Sequence, residues 1–210
     1  DGMPTPKVFK PFTEAFSRFS TRLLDNAPAL TAVNFSNFSV DIARGEALSV
    51  FSATAPTFSL ERYGPRLQLS AQLDASLANT PTRIRLAGNA EPAEGTLALN
   101  MAFSELSPSS LSPAVELPEF IGFMNFPFGL DLQLDMTAKE GLRSAAFEVS
   151  IGQGELKHPV QFPDGSAVDY GVISAAYDVD KDLVTFDDIE LSLGGIVARG
   201  KGLVYWQEGN

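Results

Sequence analysis

The chain has 210 residues, 44% of them hydrophobic, with a formal net charge of −11 and no cysteine. A length of this order suits one large all-β domain or two small ones, and it buries enough surface to fold without covalent staples. The acidic balance excludes a nucleic-acid binder, which needs a positive footprint on the phosphates, and the missing cysteines exclude disulfide frameworks, cysteine zinc sites and thiolate nucleophiles.

The opening DGMPTPK does not read as a signal peptide, and GLVYWQEGN stops with an apolar segment still running. We therefore read the chain as a piece of a longer protein. No run reaches the ~18–20 apolar residues of a membrane span. The strongest helix signal comes first, over 6–25. Phe9, Phe12, Phe16, Phe19 and Leu23 recur at spacings of three and four, and Lys7, Lys10, Arg18 and Arg22 fall opposite. Pro6 or Pro11 suits the first helical turn, and Asp25-Asn26-Ala27-Pro28 ends the pattern. Such a helix either packs its Phe stripe on a sheet or lies on a membrane surface with its basic face toward the headgroups.

From there on the period is two, the signature of strands with one apolar and one wet face. In the front half, 32–104, NFSVDI aligns Phe38, Val40 and Ile42, and RLQLSAQLDASL aligns Leu67, Leu69, Ala71, Leu73, Ala75 and Leu77. TLALNMAF then aligns Leu97, Leu99, Met101 and Phe103. A Pro/Ser-rich linker follows over 105–127, in which Phe120, Ile121 and Met124 suit a short helix opened by Pro118. We expect this linker to lie within one sheet system. In the back half, 128–206, FGLDLQLDM alternates without a fault: Phe128, Leu130, Leu132, Leu134 and Met136 against Gly129, Asp131, Gln133 and Asp135. AAFEVSIG (with Phe147 and Val149), GVISAAYDVD, LVTF, IELSL and GIVARGKGLVYW complete the set. Turn signals at Tyr63-Gly64-Pro65, Ala78-Asn79-Thr80-Pro81, Glu94-Gly95, Lys139-Glu140-Gly141 and Pro163-Asp164-Gly165 separate the strands. On the order of ten to thirteen strands is expected, joined mostly by hairpin-length turns.

Chemistry is harder to find. His158 is the only histidine, with no partner set for a metal and no G-x-S-x-G elbow, so it reads as a loop residue. Asp178, Asp180 and Asp182 alternate as in a calcium loop, but Leu183 and Ile189 stand where an EF-hand needs Gly and Glu. A hairpin turn with solvated carboxylates is the simpler reading. Asp187, Asp188 and Glu190 are carboxylates without a spacing that defines a hydrolase pair. The glycines of IGQGEL and GGIVARGKG precede no helix, and strand bends or bulges account for them. The sequons at Asn34 and Asn37 matter only on a eukaryotic secretory route. No enzyme signature, cofactor motif or metal site emerges.

One resemblance does emerge. The run from FPFGLDLQLDM through GQGELKHP to YDVDKDLVTFDDIELSLGGIVARGKG resembles AsmA-like proteins, especially the YhdP-type branch. Pro127, Gly141, Gly152, Gly154, Tyr177, Asp178, Asp187, Gly194, Gly195, Gly200 and Gly202 fall at the places of that family's strand-and-turn pattern. The resemblance implies a section of a bridge-like, repeating β-groove protein in the periplasm of a Gram-negative bacterium, with an inner-membrane anchor outside this chain. It implies transport of phospholipid between inner and outer membrane. Its partners would be acyl chains, adjacent β-groove segments and, through the helix, a membrane surface, but not nucleic acid.

Two architectures hide so many apolar faces with one helix as cover. A long curved antiparallel sheet can form an apolar groove, taco-like, that acyl chains complete, or two sheets can stack as a β-sandwich. We expect the groove, lined by Leu67, Leu69, Leu73, Leu97, Leu99, Met101, Phe103, Phe128, Leu130, Leu132, Leu134, Met136, Phe147 and Val149. The sandwich, as a structural or binding module of the envelope without lipid, is the alternative.

Overall fold

The computed structural model describes residues 31–43, 49–77, 80–108 and 123–205, with scattered positions between 14 and 29. Of the expected helix over 6–25 only scattered positions are described and none of its Phe stripe, and the turn of helix around Phe120 and Ile121 falls outside the described residues. The described strands, in chain order, are β1 (Ala32–Phe35), β2 (Phe38–Ala43), β3 (Ser49–Tyr63), β4 (Arg66–Leu77), β5 (Thr80–Glu91), β6 (Thr96–Leu106) and β7 (Met124–Asn125). They continue with β8 (Phe128–Thr137), β9 (Gly141–Ile151), β10 (Gly154–Leu156), β11 (Ser166–Asp178), β12 (Leu183–Leu193) and β13 (Ile196–Tyr205). Met124, expected in a helical turn, is a strand residue.

All thirteen strands belong to one hydrogen-bonded antiparallel sheet. β1 and β2 pair successive stretches of β3, β7 and β8 lie end to end against β10 and β9, and β9 and β10 pair successive stretches of β11. Each of these couples is one ribbon broken in two. The sheet is therefore a plain meander from β1/β2 to β13 that does not close, with every ribbon beside its neighbour in sequence. A sandwich needs two sheets packed face to face, and the described strands make one. β6 and β8, on either side of the Pro/Ser-rich linker, are direct neighbours, so the sheet runs on across it.

The breaks have local causes. Pro56 has no N–H to give to a ladder, and it lies where pairing lapses on both sides: between Thr54 and Thr57 against β4, and between β1 and β2. Asn37, opposite that lapse, takes the left-handed φ of 55°, and Phe35, Phe38 and Phe58 pin the gap, with ring centroids 5.6 to 6.3 Å apart. Farther on, Gly152 N–H donates to Pro127 O at 2.8 Å where both neighbouring ribbons break. A Cβ at Gly154 would lie 2.3 Å from Asn125 O, so only glycine lets the backbones close there.

The β12–β13 turn departs from the sequence reading. Gly194 and Gly195 are not a bend within a strand. They form a two-residue hairpin with φ of 55° and 81°, the double left-handed geometry that matches strand twist. A bulge in β11 leaves Asp169 outside the ladder between Val168 and Tyr170. Its carboxylate then accepts the Gly195 N–H at 2.9 Å and the Ser192 hydroxyl at 2.8 Å. The Gly195 N–H, and secondarily the Ser192 hydroxyl, hold the Asp169 carboxyl below its ordinary 3.8. A group with a depressed folded pKa adds stability above its unfolded value and loses it as pH falls through the folded one. An NMR titration should therefore find the Gly195 amide constant above pH 3.8 and shifting with a midpoint below it. A midpoint at or above 3.8 would mean that Asp169 does not hold the turn.

Candidate apolar face

Residues paired across antiparallel strands point to the same side, so the register alone sorts the sheet into two faces. One row runs Leu73, Ile84, Phe103, Leu130, Val149, Ile173 and Ile189 to Gly200. The next runs Ala71, Leu86, Met101, Leu132, Phe147, Ala175 and Phe186 to Gly202. A third holds Leu69, Gly88, Leu99, Leu134, Ala145, Tyr177, Val184 and Val204, and a fourth Leu67, Ala90, Leu97, Met136 and Leu142. Every residue expected to line a groove lies on this one face. The expected lining left out Ile84 and Leu86 on β5, where the alternation in TRIRLAG with Arg83 and Arg85 outward was the available signal, Phe58 on β3, hidden by the broken rhythm around Pro56, and Leu142, Ile173, Val184, Phe186 and Ile189 on β9, β11 and β12.

Burial is uneven along that face. Toward the end that carries the β3–β4, β5–β6, β8–β9 and β11–β12 turns, Leu67, Ala90, Leu97, Met136 and Leu142 form a continuous core with Leu99 and Leu134. Met136 has no exposed surface at all. Gly88 is small for a reason, since a Cβ there would stand 2.6 Å from Leu99 Cδ2. A second buried patch joins Ala53, Ala75 and Ile84. The other lining candidates, Leu69, Leu73, Met101, Phe103, Phe128, Leu130, Leu132, Phe147 and Val149, are half-buried. The candidate set thus divides into a sealed core at one end and a half-open apolar field beyond it.

Tyr177 stands on the apolar face with its hydroxyl reaching Asp182 at 2.7 Å. Burial, then the hydrogen bond to Asp182, push the phenol up to about 12. The rest of the aspartate-rich turn serves structure. Asp178 accepts the N–H groups of Asp180 and Lys181 and pairs with the Lys181 ammonium at 2.5 Å. His158 is likewise a turn residue: its Nδ1 accepts from Val160 N and Gln161 N, and its ring meets Phe123 edge-on at 4.8 Å. Glu190 is held by Arg199 at 2.7 Å and Tyr170 at 2.6 Å. The Arg199 guanidinium, then the Tyr170 hydroxyl, keep its carboxyl below the ordinary carboxylate range.

The opposite face is polar. Its central row runs Ser70, Ala87, Asn100, Gln133, Ala146 and Ala176. Shallow hollows of about 470, 770 and 400 Å³ meet around Gln133 on this side. Their lining joins Ser, Thr, Ala, Asn, Gln, Arg85 and several aspartates with Leu86, Met101 and Leu132, and in one of them the Ser174 hydroxyl donates to Glu148 Oε2 at 3.3 Å.

The fold and its faces define a class: an open antiparallel meander, one side apolar and the other wet. Comparison with known proteins finds no matching family model, curated protein or solved structure.

Proposed function

We propose that the apolar face holds phospholipid acyl chains and that this chain is one section of a periplasmic, bridge-like lipid-transfer protein. The face would form the lining of a taco-like groove continued by adjacent β-groove segments, with phospholipid moving between inner and outer membrane. The observation that carries the reading is the half-buried field of Met101, Phe103, Leu130, Leu132, Phe147 and Val149 in the middle of a single, unclosed sheet. Such a field in water is costly unless apolar matter covers it. Acyl chains suit it chemically. Each methylene removed from water contributes ~0.8 kcal/mol, and a lining of Leu, Phe, Met and Val without polar anchors has nothing to fix one acyl chain in one place. The headgroup would stay in water at the open margin. The fold class, the location and the task all come from the resemblance to AsmA-like proteins and from this face. The amphipathic pattern over 6–25 would serve as cover for the groove or as a membrane contact.

A face-specific cross-link tests the reading. A photoreactive benzophenone side chain at position 132 should label phospholipid when the chain is mixed with phosphatidylethanolamine/phosphatidylglycerol vesicles. The same group at position 133, one residue along and on the other face, should not. Equal labelling at both positions would overturn the assignment of the face.

A further inference from the structure

We infer that β13 is a self-pairing edge, through which two copies of this chain join antiparallel, β13 to β13, about a two-fold axis at Gly200. The inference is independent of any lipid, and it leaves the β1/β2 edge as the one at which an adjacent β-groove segment would continue the sheet. β13 is hydrogen-bonded to β12 alone among the described strands, and all ten of its residues are exposed. Among the described residues nothing pairs with its outer row of N–H and C=O groups, it holds no proline, and the bulge of the β12–β13 pair, between Phe186 and Ile189, lies on the β12 side. The opposite edge of the sheet is different, since there β1 and β2 are separated by a break at Asn37.

What points to a second copy is the symmetry of the strand itself. IVARGKGLV reads apolar, apolar, small, basic, Gly, basic, small, apolar, apolar about Gly200. Antiparallel pairing of two such strands in that register sets Ile196 against Val204 of the other copy, and Val197 against Leu203. Each pair occurs twice, the Ile196–Val204 pairs on the apolar face of the joined sheet and the Val197–Leu203 pairs on the opposite face. These four are exposed at 76%, 43%, 42% and 61%, and Tyr205, exposed at 59%, lies just past the symmetric stretch. Ala198 meets Gly202, and the two Gly200 residues meet on the axis. Arg199 faces Lys201 of the other copy, a like-charge contact, but its guanidinium already lies on Glu190 at 2.7 and 3.2 Å. A two-fold axis perpendicular to the sheet keeps both apolar faces on the same side, so the joined meander presents one continuous apolar face. A single strand pair is a small interface, and the association belongs to the weak, concentration-dependent class.

The absence of cysteine makes the register directly readable. A Cβ at Gly200 meets nothing within 4 Å, so Gly200→Cys leaves the fold intact. Antiparallel partners bring their Cα atoms to ~4.5–5.5 Å, inside the span of a disulfide. Under mild oxidation Gly200→Cys should form covalent dimer at least about ten times faster than Ile196→Cys, whose copies stand some eight residues apart across the axis. Ile196→Cys mixed with Val204→Cys should cross-link into the mixed dimer. Sedimentation of the unmodified chain should show reversible dimer without larger species, weakened by Leu203→Lys with an unchanged circular dichroism spectrum. Equal rates for Gly200→Cys and Ile196→Cys, a monomer at all concentrations, or an open-ended ladder of oligomers would each overturn the two-fold pairing.

Discussion

Met136→Asp is expected to destabilise the sheet severely at neutral pH. Met136 is the most deeply buried large side chain of the apolar face, enclosed with Leu67, Ala90, Leu97, Leu99, Leu134 and Leu142. A carboxylate there is taken out of water beside neighbours that offer neither a cation nor a hydrogen-bond donor. An uncompensated buried charge costs ~3–5 kcal/mol, against a total stability of ~5–15 kcal/mol for a domain. Urea unfolding followed by circular dichroism should show the loss, whereas Leu203→Asp, on an exposed stretch of β13, should stay within about 0.5 kcal/mol of the parent. Similar midpoints for both variants would mean that the end of the sheet carrying Met136 is not a core.

Leu132→Asp should behave differently. Leu132 lies on the same face and pairs with Met101 and Phe147, but it is only half-buried. Its carboxylate can reach water, so the sheet should remain folded with a modest loss of stability. The apolar field, however, would then carry a charge in its middle. Covering a leucine side chain is worth ~1.5–3 kcal/mol, so retained phospholipid should fall by about tenfold or more. Leu99→Asp is a poor substitute, because Leu99 belongs to the buried core and its variant would lose lipid simply by unfolding. Full lipid retention in a folded Leu132→Asp variant would exclude the central field as the site.

Much of this arrangement was legible in the alternation. FGLDLQLDM places its residues on two faces as written, and the pairing of Leu97 with Met136 and of Met101 with Leu132 follows once β6 and β8 are neighbours. The turn residues marked most hairpins, and Asp178 to Asp182 form a turn, as the pattern suggested. β3 was missed because Pro56 interrupts its rhythm, and a proline at a bulge looks from the sequence like a proline between strands. Gly194 and Gly195 were read as a bend because glycine pairs serve bulges and tight hairpins alike, and only the φ angles separate the two uses. The difference between core and open field along one apolar face was invisible for a general reason. Alternation reports which way a side chain points, not what lies above it, so Met136 and Leu132 look alike in sequence and differ in burial.

The central claim, that acyl chains occupy the apolar face, is tested most directly by native mass spectrometry of the purified chain with solvent extraction of whatever travels with it. Phospholipid at a defined stoichiometry is the predicted result. A clean lipid-free mass, together with a cooperative melt at high temperature, would contradict it and show that the protein covers its own apolar face.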